Sequence, residues 1–185
     1  LPRRVRPQRR GVRGHAAVTH LVLVGMMGVG KSTVGRIVAA ELDRPLFDSD
    51  EMIEARTGRT VREIWSTDGE EAFRALETET LLEALAEPEA SVIAAAGGVV
   101  LSDVNRAALR SADAHVVWLL ADVEVLVERV RNGMHRPLLD DDPETVLRAL
   151  HEVRAPMYQE VADAVVSVDH RSPHDVAKAV LRCCA

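Results

Sequence analysis

Gly25, Gly30, Lys31 and Ser32 in "GMMGVGKST" fit G-x-x-x-x-G-K-[ST] in register, after the apolar run "HLVLV" and ahead of a helical pattern. Glycines at these positions let backbone N–H groups curl around phosphate oxygens. The helix beginning near Ser32 offers its positive end, Lys31 adds a point charge, and the Ser32 hydroxyl can ligate Mg²⁺. The cradle spans Gly28, Val29, Gly30, Lys31, Ser32 and Thr33, and it predicts a nucleoside triphosphate with magnesium. Asp48 and Asp50 in "FDSDEMIEARTG" follow a second apolar run, which puts both at the carboxyl end of a strand, where the phosphates lie. One can hold magnesium through water, and the other can accept a hydrogen bond or a proton from an acceptor hydroxyl. Either could instead cap the helix starting near Glu51.

Arginines supply the remaining anion-binding candidates. Arg74 in "GEEAFRALE" has Glu70, Glu71 and Glu77 at helical spacing, which is also the pattern of plain surface pairing. Trp65 and Phe73 lie close to it in sequence and read as core or as the wall of a pocket. Arg136 falls in "RNGMHRPLLDDDP", residues 131–143, and Arg154 in "HEVRAPMYQEVAD". Segment 131–143 reads as an exposed, mobile loop, either a lid over the site or a solvated connection. A lid arginine can stabilise charge on a transferring phosphoryl group. Gly97 and Gly98 close a third apolar run, where they serve an ordinary turn or let the backbone approach a ligand.

The elements that must hold these residues recur regularly. Strand-length runs, "HLVLVG", "PLFD", "SVIAAAGG", "HVVWLL" and "AVVSV", start at residues 20, 45, 91, 115 and 164, and are rich in Val, Leu and Ile, as in strands buried on both faces. Helical patterns intervene at Thr33–Leu42, Asp68–Glu87, Val104–Ser111, Val123–Val130, Pro143–Tyr158 and Pro173–Leu181. Alternation of this kind predicts a parallel sheet with helices on both faces and ligands outside the carboxyl ends of the strands.

Composition narrows the class. The 185 residues are 47% hydrophobic, enough for one good core. Residues 1–14 carry six arginines and no acid, so the rest bears 17 basic against 29 acidic side chains, near −12. That balance argues against a general nucleic-acid surface. The expected organisation is a disordered Arg-rich arm over residues 1–18 and a single domain over 19–185. Cys183 and Cys184 are adjacent near the C-terminus and cannot staple distant elements. No run of 18 apolar residues exists, so the expectation is a soluble, reducing, cytoplasmic setting without a membrane partner.

From Thr19 onward the chain resembles the shikimate kinases, in "GMMGVGKST", in "DSD" followed by "EARTGR", and in "DGEEAFRALE", "AGGVVL", "RPLL" and "RAPMYQEVA", all in that family's order. The resemblance implies a five-stranded, nucleoside-monophosphate-kinase-like P-loop kinase fold of strand order 2-3-1-4-5 with a mobile lid. It also implies transfer of the γ-phosphoryl group of ATP to the 3-hydroxyl of shikimate by a monomeric enzyme. Carried over by position, Lys31 and Ser32 handle phosphate and magnesium, Asp48 supports the magnesium, and Asp50 binds the shikimate hydroxyls as candidate base. Arg74 and Arg154 would grip the carboxylate, Gly97 and Gly98 would present backbone to the substrate, and Trp65 and Phe73 would wall the carbocycle. Arg136 would reach the phosphates, while Arg129 and Arg171 match positions flanking the adenine. The family usually has three glycines where this chain has Ala96, Gly97 and Gly98, and an alanine that needs positive φ there, or whose methyl points at the substrate, would weaken acceptor binding or point to a different acceptor. Gluconate or a nucleotide is the alternative acceptor, and a catalytically silent ATP-binding protein the alternative class.

Overall fold

Val, Leu and Ile fill five short runs too brief for helices, and a parallel sheet is the arrangement that buries such runs on both faces. In the computed structural model, which describes residues 19–133 and 142–184, each run forms a strand: β1 (His20–Val24), β2 (Leu46–Asp48), β3 (Val92–Ala94), β4 (Ala114–Leu120) and β5 (Ala164–Ser167). They pair in parallel in the order β2-β3-β1-β4-β5. Central β1 is buried along its whole length, with Val22 opposite Ile93 on one side and Val116 on the other. The expected arm and most of the expected lid, Arg136 included, lie outside the described residues.

Helices connect the strands: α1 (Lys31–Leu42), α2 (Ser49–Thr57), α3 (Val61–Leu85), α4 (Asp103–Ser111), α5 (Val123–Gly133), α6 (Pro143–Val161) and α7 (Pro173–Cys183). Their starts follow from local chemistry. Thr60 and Glu63 form a reciprocal capping box at α3, and Ser102 and Ser172 cap α4 and α7. Asp142 caps α6 ahead of Pro143, whose missing N–H costs nothing in a first turn.

Helix α3 corrects the sequence-based boundary. The capping box starts it at Val61 instead of Asp68, and Gly69 (φ 85°, ψ 177°) interrupts it. Trp65 therefore rides on a first helical segment and Arg74 on a second, in a bent arrangement that glycine alone adopts easily. Helix α6 also runs past the expected Tyr158 to Val161, through Pro156.

Two apolar clusters result. The larger surrounds the sheet and includes Val22, Leu23, Trp118, Leu126, Leu147 and Tyr158. The smaller is made of Ile53, Ile64 and Phe73, with Val61, Trp65 and Leu76 against it, and joins α2 to both segments of α3. Among the described residues no helix is long and apolar enough to cross a membrane.

Candidate active site

The loop after β1 turns back on itself with positive φ at Gly25 (146°), Gly28 (78°) and Gly30 (102°). Gly25 admits no side chain at all, because a Cβ there would lie 2.5 Å from the carbonyl oxygen of Leu119 on β4. Gly30 ends the turn as the N-cap of α1 and, having no side chain, makes no cap hydrogen bond to the first N–H groups of that helix. Those N–H groups and the positive end of α1 are the standard requirements for holding phosphate. Lys31 Nζ donates to the carbonyls of Gly25 (2.8 Å) and Met26 (3.1 Å), so the charge is held at the loop it serves. Arg129 Nη1 donates to Val29 O at 3.0 Å from the other side.

The loop opens into a cleft of about 640 Å³ outside the carboxyl ends of β1, β2 and β3. Most of the residues singled out from sequence line it: Gly28, Gly30, Lys31, Ser32, Thr33, Asp48, Asp50, Trp65, Phe73, Arg74, Gly97, Gly98, Arg129 and Arg154. Val29 and Arg171 are absent from that lining. They border an adjoining depression of about 310 Å³, together with Arg129 and with Val168, Pro173 and Val176, three apolar side chains that sequence reasoning missed. Apolar side chains and two arginines lining one depression suit a nucleobase.

Asp48 caps a helix with one oxygen and leaves the other unpaired. Its Oδ1 accepts from the backbone N–H groups of Asp50 (3.1 Å) and Glu51 (3.4 Å) and so caps α2. Its Oδ2 is buried with no hydrogen-bond partner among the described residues, which is costly unless a ligand satisfies it. Asp50 follows in the first turn of α2 and lines the same cleft.

Across the cleft, Arg74 pairs with Glu70 (3.0 Å) and Glu77 (2.6 Å), and its guanidinium sits over Trp65 and Phe73 at 5.2 and 5.6 Å from the ring centroids. Glu77 is only 2% exposed. Burial pushes its carboxyl above the ordinary carboxylate range, outweighing the downward pull of Arg74, while Asp50 adds to the rise and Arg154 opposes it. Burial also works against the charge on Arg74, but Glu77 and Glu70 outweigh it and hold that guanidinium charged. Glu77 thus belongs to the site, although the sequence showed it only as a helical partner of Arg74. Arg154, 3% exposed, reaches Gly97 O with Nη1 at 3.2 Å, and its Nε is buried without a partner among the described residues. Tyr158 was the other omission: its hydroxyl donates to the same Gly97 oxygen at 2.5 Å.

The glycine pair has distinct steric reasons. Gly97 packs on the phosphate loop, where a Cβ would meet Met27 N at 3.2 Å. Gly98 (φ −92°) needs no special backbone, but a Cβ on it would stand 1.8 Å from Arg74 Nη1. Gly98→Ala is therefore expected to push Arg74 off its two carboxylates and raise the acceptor KM by roughly 10-fold or more with little change in nucleotide affinity. Steady-state kinetics with each substrate varied in turn checks it, and an unchanged acceptor KM would count against the role of Arg74. Ala96 needs no unusual backbone. Asp43 and His170 are the non-glycine described residues with positive φ, so Ala96 lines the cleft without backbone strain.

Comparison with known proteins fits this geometry. A family model described as "Shikimate kinase" matches residues 27–185. The shikimate kinase of Chromohalobacter salexigens is 46% identical over 163 residues, covering 88% of this chain and 89% of that protein. A solved structure described as shikimate kinase from Acinetobacter baumannii in complex with shikimate superposes with a TM-score of 0.84 at 38% identity, over 89% of this chain and 92% of that one. A gluconokinase from Sinorhizobium meliloti shares the fold, with a TM-score of 0.61 at 19% identity over 90% and 91% of the two chains. A phosphate loop sharing one cleft with half-buried Arg74 and buried Arg154, set in a sequence of which nearly nine-tenths aligns at this level, places the chain in the shikimate kinase family.

Proposed function

We propose that this chain transfers the γ-phosphoryl group of ATP to the 3-hydroxyl of shikimate, giving shikimate 3-phosphate and ADP, a step in aromatic amino acid biosynthesis. The observation that carries the acceptor half is the placement of Arg74 and Arg154 beside the Gly97–Gly98 turn, facing the Lys31 loop across one cleft. Two guanidinium groups suit a small carboxylate better than two ammonium groups would, because each presents a planar pair of donors. Trp65 and Phe73 supply the apolar wall for the ring. Asp50 takes the acceptor hydroxyl, orienting it and receiving its proton as the new P–O bond forms. Lys31 and the N–H groups opening α1 hold the phosphate oxygens as charge shifts toward the leaving ADP. Arg136 adds its charge to the transferring group, an assignment resting on sequence alone. Arg129 and Arg171 flank the adenine in the smaller depression.

Magnesium fits the residues present. Asp48 Oδ2 is a buried oxygen lacking a partner, and the Ser32 hydroxyl lines the same cleft. Among the described residues no group of three or more His, Cys, Asp or Glu could cage a metal by itself, which suits an ion held jointly by protein and nucleotide oxygens. When bound, the ion neutralises phosphate charge.

ADP release measured with shikimate, gluconate and nucleoside monophosphates as separate acceptors tests the reading. Shikimate-dependent turnover is expected, and its absence alongside turnover of another acceptor would refute the assignment. Arg154→Ala should raise the shikimate KM by about 10- to 100-fold with the ATP KM nearly unchanged, since it removes charge-assisted hydrogen bonds to one substrate only. Equal losses for both substrates would contradict the carboxylate role.

A further inference from the structure

Tyr158, the sole tyrosine of the chain, follows Arg154 by four residues on α6 and so lies on the same helix face, one turn along. It is fully buried (0% exposed), and its ring stacks on Trp118 of β4 at 5.7 Å between centroids. Its hydroxyl meets three parts of the site at once: it donates to Gly97 O at 2.5 Å, shares that oxygen with Arg154 Nη1 (3.2 Å), and lies 4.0 Å from the sulfur of Met26 in the phosphate loop. Gly97 in turn abuts that loop at Met27 N and Gly25 O. The Gly97 carbonyl is therefore the point where phosphate loop, acceptor turn and α6 converge.

A carbonyl oxygen has two lone pairs, and here the two donors use them both. With Tyr158 holding one, Arg154 reaches the turn through Nη1, and its Nε is buried without a partner among the described residues. Without the hydroxyl, the oxygen is free to draw the guanidinium further onto the turn, and Arg154 alone is left to tether the turn to α6. Burial also raises the hydroxyl's pKa above its ordinary value, so it stays protonated and donating across the working pH range.

We propose that Tyr158 is a positioning residue for the acceptor: its hydroxyl fixes the Gly97 carbonyl so that Arg154 and the Gly97–Gly98 turn meet the acceptor carboxylate in register with the phosphate loop. The inference rests on Arg154 gripping that carboxylate. Tyr158→Phe, Arg154→Ala, the double variant and Trp118→Phe, each in the full chain, separate the two. Tyr158→Phe should raise the shikimate KM about 3- to 10-fold, the worth of one neutral hydrogen bond, and leave the ATP KM within about twofold. In the Arg154→Ala background the same change should have less than about a twofold effect, because the tyrosine acts through that arginine. Trp118→Phe, which loosens the ring but keeps the hydroxyl, should lower Tm without moving the shikimate KM. An unchanged shikimate KM in Tyr158→Phe, or an undiminished effect in the double variant, overturns the inference while Arg154→Ala still reports on the carboxylate grip. An unchanged shikimate KM in Arg154→Ala overturns the grip itself, and the inference with it. Should Tyr158→Phe lower Tm too far for kinetics at 25 °C, shikimate affinity read by tryptophan fluorescence at lower temperature gives the same comparison.

Discussion

Lys31→Ala is expected to lower kcat by about 10³-fold or more, because a preorganised cation at a transferring phosphoryl group contributes on that scale. Two effects combine. The ammonium that balances charge in the transition state disappears, and with it the hydrogen bonds to Gly25 O and Met26 O that brace the loop. Nucleotide affinity should fall far less, since the backbone N–H groups at Gly30 and the first turn of α1 survive the change. Lys31→Arg should rescue little of the lost rate, as a planar guanidinium cannot occupy the space of a compact ammonium curled under two carbonyls. Single-turnover ADP formation at saturating ATP and shikimate measures the effect, and a kcat within tenfold of the parent would remove Lys31 from the chemistry.

Asp50→Asn is expected to lower kcat by about 10²- to 10⁴-fold, the span associated with losing a positioned general base. The substitution preserves shape, so the small cluster of Ile53, Ile64 and Phe73 behind α2 should be undisturbed and Tm nearly constant. The contrast with Asp48→Asn is informative. Asp48 caps α2 through one oxygen and leaves the second buried without a described partner, so its amide variant should lose apparent magnesium affinity while the cap, and with it Tm, stays nearly unchanged. A Mg²⁺ titration of turnover distinguishes the two: the midpoint should shift for Asp48→Asn, whereas for Asp50→Asn the plateau should drop at an unshifted midpoint. Full activity in Asp50→Asn would exclude it as the base.

The phosphate loop and the five strands were legible in the sequence for a physical reason, whereas the order of the strands came only through the family resemblance. Glycine spacing is dictated by a backbone path, and strands buried on both faces leave unbroken apolar runs. The acceptor side was harder to read because its key properties are tertiary. Glu77 and Glu70 look alike on a helical pattern, yet Glu77 is buried and Glu70 exposed, because the chain that follows Gly98, a single 3₁₀ turn over Val99–Leu101, packs against α3. Readings that stood as alternatives also proved compatible. Asp48 caps a helix and offers an oxygen to the cleft, Arg74 makes helical ion pairs and lines the site, and Phe73 is both core and wall. The Gly69 break escaped notice because a helix-strength pattern continues on both sides of it. Tyr158 gave a faint signal, a lone aromatic hydroxyl four residues beyond a candidate arginine, but its target carbonyl lies 61 positions away in the chain.

The separation of the small Ile53–Ile64–Phe73 cluster from the main core has an evolutionary consequence. Selection can remodel the α2–α3 wall of the cleft by exchanging residues whose packing partners are one another, without reworking the side chains packed around the sheet and the phosphate loop. Innovation in what is phosphorylated is thereby decoupled from inheritance of how, and a duplicated copy of such a gene could drift toward a new small alcohol while its ancestral ATP half stayed under purifying selection.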